Sequence, residues 1–381
     1  MEGGSVISPP EFRLIPVSKD LDVALSRKLA SAAAEGAGFS QRRVEDIVLA
    51  VSEMAQNLVS HNALSGRVLL YAQEIAGIRI MNAAALDEGP GILQPLDVIV
   101  DGVSSGSSFG NGLGTIKRLS DRFEICSGRF GQRPCVDIAR LIAGDEGRER
   151  EGGATGDRYG TARYGTVVAS SFLSPPGFWE HLPLEMAFYV RPAEGESLSG
   201  DGLHFKAGRD SFRMTLLDAL GHGPRAADVL NEVVMLLERI PADTPPEEVL
   251  LAVGHDMGPR GGLAMHAVKI ENRSGRIDTA STGNIFHSML IDGMPRTLPS
   301  GSGIIGPVVS RNNIIRSEIS GFHSVIGILY TDGFSQLHLK EQEDTSGISP
   351  LLLASEIIGY RPELISPKDD ATLLVWRYEP K

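Results

Sequence analysis

The sequence predicts a two-domain α/β (α+β) protein, and three observations carry that prediction. The chain has 381 residues, more than one hydrophobic core ordinarily organises, which leaves room for two units of about 100–200 residues each. A seam, "GDEGREREGGATGDRYGTARYG" from Gly144 to Gly165, is rich in glycine and charge and almost lacks aliphatic residues. Such a composition buries no face and reads as a linker or exposed loop. The patterns on its two sides differ: helix and strand signals mix before it, and strand signals dominate after it.

The elements follow in order. In "VEDIVLAVSEMAQNLVSH", Val44, Ile47, Val48, Val51, Met54, Ala55 and Leu58 recur at helical spacing. "RVLLYAQEI" and "GIRIMNAAA" read as strands joined by a short Ala76-Gly77 turn. Beyond the seam, "MAFYVRP", "FRMTLLD", "AMHAVKIEN", "GRIDTASTGN", "FHSMLID", "SVIGILYTDG" and "TLLVWRYE" read as strands. Two helices, "RAADVLNEVVMLLERI" and "PPEEVLLAVGHDM", interrupt them. The domains expected are residues 10–143 and 164–381, with 144–163 as linker.

Composition narrows the function. A net charge of −12 argues against non-specific binding to nucleic acid or to an acidic membrane. The two cysteines, Cys126 and Cys135, form no Cys-x-x-Cys, so neither a disulfide framework nor a thiolate zinc site is expected. The N-terminal stretch has no basic-then-apolar signal, and no apolar run approaches the ~18 residues of a membrane span. The expected location is the cytoplasm.

Three features of the first half bear on chemistry. Glu53, Asn57 and His61 lie at i, i+4 and i+8, opposite the apolar face of their helix. An ordinary amphipathic helix also places polar residues there. In "LDEGPGI", Asp87 precedes Gly89 and Gly91, so a carboxylate can accept from a base edge while the backbone passes close. Next, Gly110, Gly112 and Gly114 free the backbone just before a helix, a setting that suits phosphate.

In this order the three resemble the GHKL-type ATP-binding fold shared by gyrase and the histidine kinases. Its short form, the anti-sigma-factor serine kinases and the switch kinases of stress signalling, is most similar. The resemblance spans roughly residues 10–143 and implies an α/β sandwich that binds ATP with Mg²⁺. It implies that Asn57 holds Mg²⁺ and Asp87 reads the adenine amino group. Gly89, Gly91, Gly110, Gly112, Leu113 and Gly114 would line the nucleotide, the last four closing over the phosphates. Glu53 falls where the serine kinases place the proposed base. Domains of this type often dimerise, which makes a homodimer an expectation.

In the second half, carboxylates recur where strands end. Asp201 precedes a strand, Asp218 closes "FRMTLLD" before a Gly-His-Gly turn, and Asp332 follows "GILY". Asp369 and Asp370 precede "ATLLVW". Each alone is an ordinary turn residue. Together they predict convergence on a hard cation, Mg²⁺ or Mn²⁺, because the donors are all oxygens.

The ordered set "SGD…LLDALGHGPRAA…STGN…GIIG…YTDG…DDAT" resembles the metal-dependent serine/threonine phosphatases of the 2C (PPM) type. The sporulation and stress-response branch, SpoIIE-like and RsbX-like, is most similar. The resemblance runs from about Tyr164 to Tyr378 and implies an α-β-β-α sandwich with two Mn²⁺ or Mg²⁺ ions. Asp218 would bridge them, the carbonyl of Ala219 would bind one, and Asp201 would help position the attacking water. Asp332 would hold the second ion, with Asp369 as the final ligand and Asp370 as its rival. The family has Asp-Gly where this chain has Asp218-Ala219, which puts the backbone geometry in question. His222, between glycines, is expected to be structural, and no arginine for a substrate phosphate is evident.

The resulting expectation is a kinase-like ATP-binding domain fused to a phosphoserine/threonine phosphatase. Its substrate would be a phosphorylated small regulator of the anti-anti-sigma (STAS) class, in a partner-switching pathway. In the alternative, the phosphatase is the only enzyme and the first domain is a nucleotide sensor or docking module.

Overall fold

The computed structural model describes residues 10–61, 63–75, 78–89, 91–92, 112–128, 142–143, 165–176, 184–257, 261–306, 309–342, 345 and 348–380. The expected linker, 144–163, and Gly110 lie outside them.

The first unit starts with β1 (Glu11–Pro16), α1 (Asp20–Gly36) and α2 (Gln41–Ser60). The Asp22 carboxylate accepts the Ser18 and Lys19 amides at 2.9 and 3.2 Å, and the Ser40 hydroxyl accepts the Arg43 amide at 3.4 Å. These side chains satisfy amides that a helix start leaves unpaired. The helical spacing read from the sequence holds in α2: Val44, Ile47, Val51, Met54, Ala55 and Leu58 are buried. β2 (Arg67–Ile75), β3 (Ile78–Asp87), α3 (Gly112–Leu119) and β4 (Arg122–Gly128) follow. α1 and α2 cover one face of the sheet through Ala30, Ile47 and Val51 against Val68, Leu70 and Ala83.

The domain boundary differs from the expectation. β6 (Gly165–Ser174), assigned from sequence to the second domain, lies between β3 and β4 in the first sheet, whose order is β1-β2-β3-β6-β4. Its register runs from Arg79↔Ser174 to Asp87↔Thr166 on one side and from Arg122↔Ser171 to Gly128↔Gly165 on the other. A central strand has both edges paired, so the first unit ends at about Ser174. The glycine-rich seam misled the reading because an insertion inside a domain has the same composition as a linker between two.

The second unit is four layers deep. One sheet, β14-β11-β10-β9-β8, comprises β8 (Asp201–Ala207), β9 (Ser211–Ala219), β10 (Leu263–Glu271), β11 (Ile277–Thr282) and β14 (Ile315–Ile319). The other, β13-β12-β15-β17-β7, comprises β7 (Leu184–Arg191), β12 (Phe286–Ile291), β13 (Met294–Leu298), β15 (Val325–Tyr330) and β17 (Ala371–Tyr378). Phe205, Phe212, Met214 and Leu216 of the first meet Phe188 and other residues of the second, with the Phe188 and Phe205 rings 5.4 Å apart. α4 (Pro224–Arg239) and α5 (Pro246–Asp256) cover the first sheet through Leu230, Val233, Val249 and Val253. α6 (Pro350–Tyr360) lies on the outer face of the second. The predicted α-β-β-α sandwich is therefore present. A small two-strand pairing, β5 (Ile142–Ala143) with β16 (His338–Leu339), joins the chain before the seam to the second unit.

Helix α6 has no solvent face: Pro350 to Gly359 are all buried. Its far side meets the free face of the first sheet, so Leu69, Tyr71, Leu86, Val167 and Ala169 share a core with Leu351, Leu353 and Ile357. A helix buried on every side, Ser355 and Glu356 included, requires such double cover. At the same junction Tyr71 meets Phe188 edge to face and Tyr189 at a tilt, with ring centroids 5.9 and 5.2 Å apart. Among the described residues, no helix is long and apolar enough to cross a membrane.

Candidate functional site

The carboxylates read from the sequence meet at one end of the two-sheet stack. Antiparallel pairing of β8 and β9 sets Asp201 directly opposite Asp218. Asp332 stands just past β15, and Asp369 and Asp370 stand just before β17. Asp201 is buried, and burial first and Asp218 second push its carboxyl well above the usual range. Asp218 is pushed up to about 7, by burial and then by the charges of Asp332, Asp369 and Asp370. Its Oδ2 is buried without a hydrogen-bond partner.

Among the described residues, no three acidic, His or Cys side chains stand close enough together to hold a metal ion. The charges of Asp332, Asp369 and Asp370 act on Asp218. An orphaned buried carboxylate oxygen, ringed by further oxygen donors, still fits a hard divalent cation in its chemistry. Asp370 fits less well than Asp369. Its Oδ1 accepts the Ala193 amide at 2.7 Å and its Oδ2 the Gly200 amide at 2.6 Å, so both oxygens are committed to holding loops.

The turn after Asp218 needs its glycines. Gly221 and Gly223 have φ of +82° and +74°, and a Cβ on Gly223 would lie 2.7 Å from the Glu196 carboxylate. Ala219 remains within the regular register of β9, opposite Leu263, so its side chain does not disturb the strand. His222 pairs with Glu196 through Nδ1 at 3.3 Å and leaves about half of its side chain exposed.

Four residues of this site were missed from sequence. The Thr331 hydroxyl donates to Asp201 Oδ2 at 2.6 Å and accepts the Thr372 amide at 2.9 Å, fixing the Asp201 carboxylate. Asn284 donates its amide to Asp332 Oδ2 and also lowers the Asp218 carboxyl by hydrogen bonding. Arg191 donates to the carbonyls of Ser366 and Asp369, at 3.4 Å for the latter, and clamps the Asp369 loop. Glu196 holds His222. Thr331 and Asn284 lay inside quoted motifs, "YTDG" and "STGN", and could have been found there. Nothing about Arg191 or Glu196 in sequence marks them.

In the first unit the structure brings Glu53, Asn57 and Gly112 together. A Cβ on Gly112 would lie 3.0 Å from Glu53 Oε2 and 3.4 Å from Asn57 Oδ1, so the start of α3 sits against both side chains. Leu113 and Gly114 are buried behind it. Asp87 ends β3, where its Oδ1 accepts the Gly89 amide at 2.7 Å and burial raises its carboxyl. Gly91 has φ of +73°, a conformation that glycine adopts without strain.

An open antiparallel sheet, helices on one face, and an Asn-bearing helix against a glycine helix start define a nucleotide-type domain. A model of the histidine kinase-like ATPase domain matches residues 15–136. The serine/threonine-protein kinase RsbT of Bacillus subtilis (strain 168) is 30% identical over 115 residues, which are 30% of this chain and 84% of that one. Through its first unit the chain belongs to the family of this kinase. Among solved structures, RsbX in complex with magnesium is 20% identical, covers 51% of this chain and 94% of its own, and has a TM-score of 0.44. The RsbU and RsbW domains of a Mycobacterium tuberculosis protein are 22% identical, cover 52% and 62%, and have a TM-score of 0.39.

Proposed function

We propose that the second unit is a metal-dependent phosphoserine/threonine protein phosphatase, and that the first binds ATP with Mg²⁺. The observation that carries the phosphatase reading is Asp218: a carboxylate at the end of a buried strand, with an unpartnered oxygen, opposite Asp201 and within electrostatic reach of Asp332 and Asp369. Asp218, Asp201, Asp332 and Asp369, with the Ala219 carbonyl, would hold two Mn²⁺ or Mg²⁺ ions. Such a pair, when bound, supplies a nucleophile at neutral pH and neutralises the phosphoryl group. The chain's own contribution is rigidity. Thr331 fixes the oxygen of Asp201, Asn284 orients Asp332, and Arg191 with Asp370 locks the loop of Asp369 to Gly200 and Ala193.

In the first unit Asn57 would hold Mg²⁺, Asp87 the adenine amino group, and the glycines the phosphates. Glu53, beside Gly112, would accept the proton of a serine hydroxyl. The substrate class, a STAS-type regulator phosphorylated on serine or threonine, rests on the sequence resemblance, as does the homodimer. A second reading keeps the phosphatase and makes the first unit a nucleotide sensor. The shared core around α6 favours it, since it joins the two units without an intervening solvent layer.

The test is phosphate release from a phosphoserine-bearing STAS protein with Mn²⁺, with and without ATP, alongside transfer from γ-labelled ATP to the dephosphorylated protein. Release by wild type and none by Asp218→Asn supports the phosphatase. Label on serine supports the kinase, and an ATP effect without label supports the sensor. No release from any phosphoserine protein defeats the main reading.

A further inference from the structure

The end of α6 reaches across the domain junction to the residue that the proposed function assigns to the adenine. The Tyr360 hydroxyl donates to the main-chain carbonyl of Asp87 at 2.7 Å and lies 3.4 Å from that of Thr166, the β6 residue paired with Asp87. Arg67 donates to the Gly359 carbonyl at 2.5 Å and pairs with Glu88 at 3.7 Å. Gly359 itself is so close to Leu86 that a Cβ would lie 2.4 Å from its Cδ2. Tyr360 and Gly359 of one helix end thus reach Asp87 and Leu86, and Arg67 links the Gly359 carbonyl to Glu88.

We propose that Tyr360, a residue of the second unit, positions Asp87, so that base selection at the nucleotide site depends on the domain junction. The inference rests on the reading that the first unit binds ATP. A carboxylate that accepts from the adenine amino group must reject guanine, which presents a carbonyl oxygen at that edge. That discrimination requires the carboxylate to point in a fixed direction. The Asp87 backbone lies where β3 gives way to a glycine turn, paired with Thr166 on one side, with its carboxylate on the Gly89 amide and the Glu88 amide on the Leu64 carbonyl. The Tyr360 hydroxyl supplies a tether from outside the sheet.

The same helix end leads into the carboxylate site. After Tyr360 the chain passes through a short turn, Pro362–Leu364, whose Leu364 carbonyl accepts the Ser335 amide at 2.8 Å. The Ser366 amide donates to the Gly333 carbonyl at 2.8 Å, next to Asp332, and the chain then reaches Asp369 and Asp370.

The experiment measures ATP and GTP affinity of the full chain by competition against a fluorescent ATP analogue, for wild type and Tyr360→Phe. Phenylalanine keeps the partly buried ring and removes only the hydroxyl. The preference for ATP over GTP falls roughly three- to tenfold, the worth of one tethering hydrogen bond. A merely structural role would weaken both nucleotides alike and leave the ratio unchanged, and that result overturns the inference. Should Tyr360→Phe fail to fold, Gly359→Ala reads the same ratio, because its methyl displaces Leu86, and an unchanged ratio again overturns the inference. Wild type that binds neither nucleotide defeats the ATP reading itself, and this inference with it.

Discussion

The two candidate sites are built on opposite electrostatic plans. In the first unit, Glu53 and Asn57 come from one helix, one turn apart, and meet the backbone of Gly112. Asp87 has its carboxylate already paired with the Gly89 amide. In the second unit, the carboxylates come from four separate strand ends, and burial with neighbouring charge pushes up the carboxyls of Asp201 and Asp218, the latter with an oxygen buried without a partner. The first group of side chains pairs with backbone amides or faces a helix start, whereas the second gathers carboxylates around a buried oxygen. A preformed cradle and a set of mutually repelling ligands call for different partners, and the difference is legible in burial and charge alone.

The sharpest way to break the comparison is Asp218→Asn. Phosphate release should fall at least about a hundredfold, since even outer-shell partners of metal ligands commonly cost that much. Stability should move the other way. With Asp218 raised to about 7 in the fold against 3.8 in the unfolded chain, the folded state holds an extra proton between those values. Its contribution to stability therefore falls as pH rises through that window. In chelator, Asp218→Asn should melt above wild type at pH 8, by up to about 4 kcal/mol, and level with it near pH 4. Equal melting at both pH values would mean that the charge strain is absent.

Next in size is Glu53→Gln. If the first unit phosphorylates serine, transfer of label from ATP should drop by about a hundredfold while ATP affinity stays, because a general base acts on the proton and not on binding. Loss of affinity instead would assign Glu53 to the nucleotide. The smallest effect belongs to Gly112→Ala. Alanine suits a helix better than glycine, so α3 should be no less stable. Its methyl would press on Glu53 and Asn57, and nucleotide affinity should fall about tenfold, read by the same competition titration. Unchanged affinity would show that the cradle is looser than its geometry.

Much of this was legible beforehand. The α2 periodicity, the strands around Asp218, Asp332 and Asp369, and the glycine turn after Asp218 are local patterns, and local sequence encodes them through spacing and backbone freedom. The boundary was not legible, because β6 finds its place by pairing with β3 and β4 on either side, and pairing leaves no mark in the strand itself. Nor were Arg191 and Tyr360. An arginine at a strand end and a tyrosine at a helix end gain meaning only from the carbonyls they reach, at Asp369 and Asp87.

What the sequence by itself determined is which residues are candidates for chemistry: four spaced carboxylates, an Asn-bearing helix, and glycines beside them. What only the tertiary structure decided is how those residues act on one another. The register of β8 on β9 sets Asp201 against Asp218, and α6 joins the end of β3 to the loop before β17. Side-chain identity is written residue by residue, whereas the field at Asp218 and the tether on Asp87 are sums over neighbours that only folding brings near.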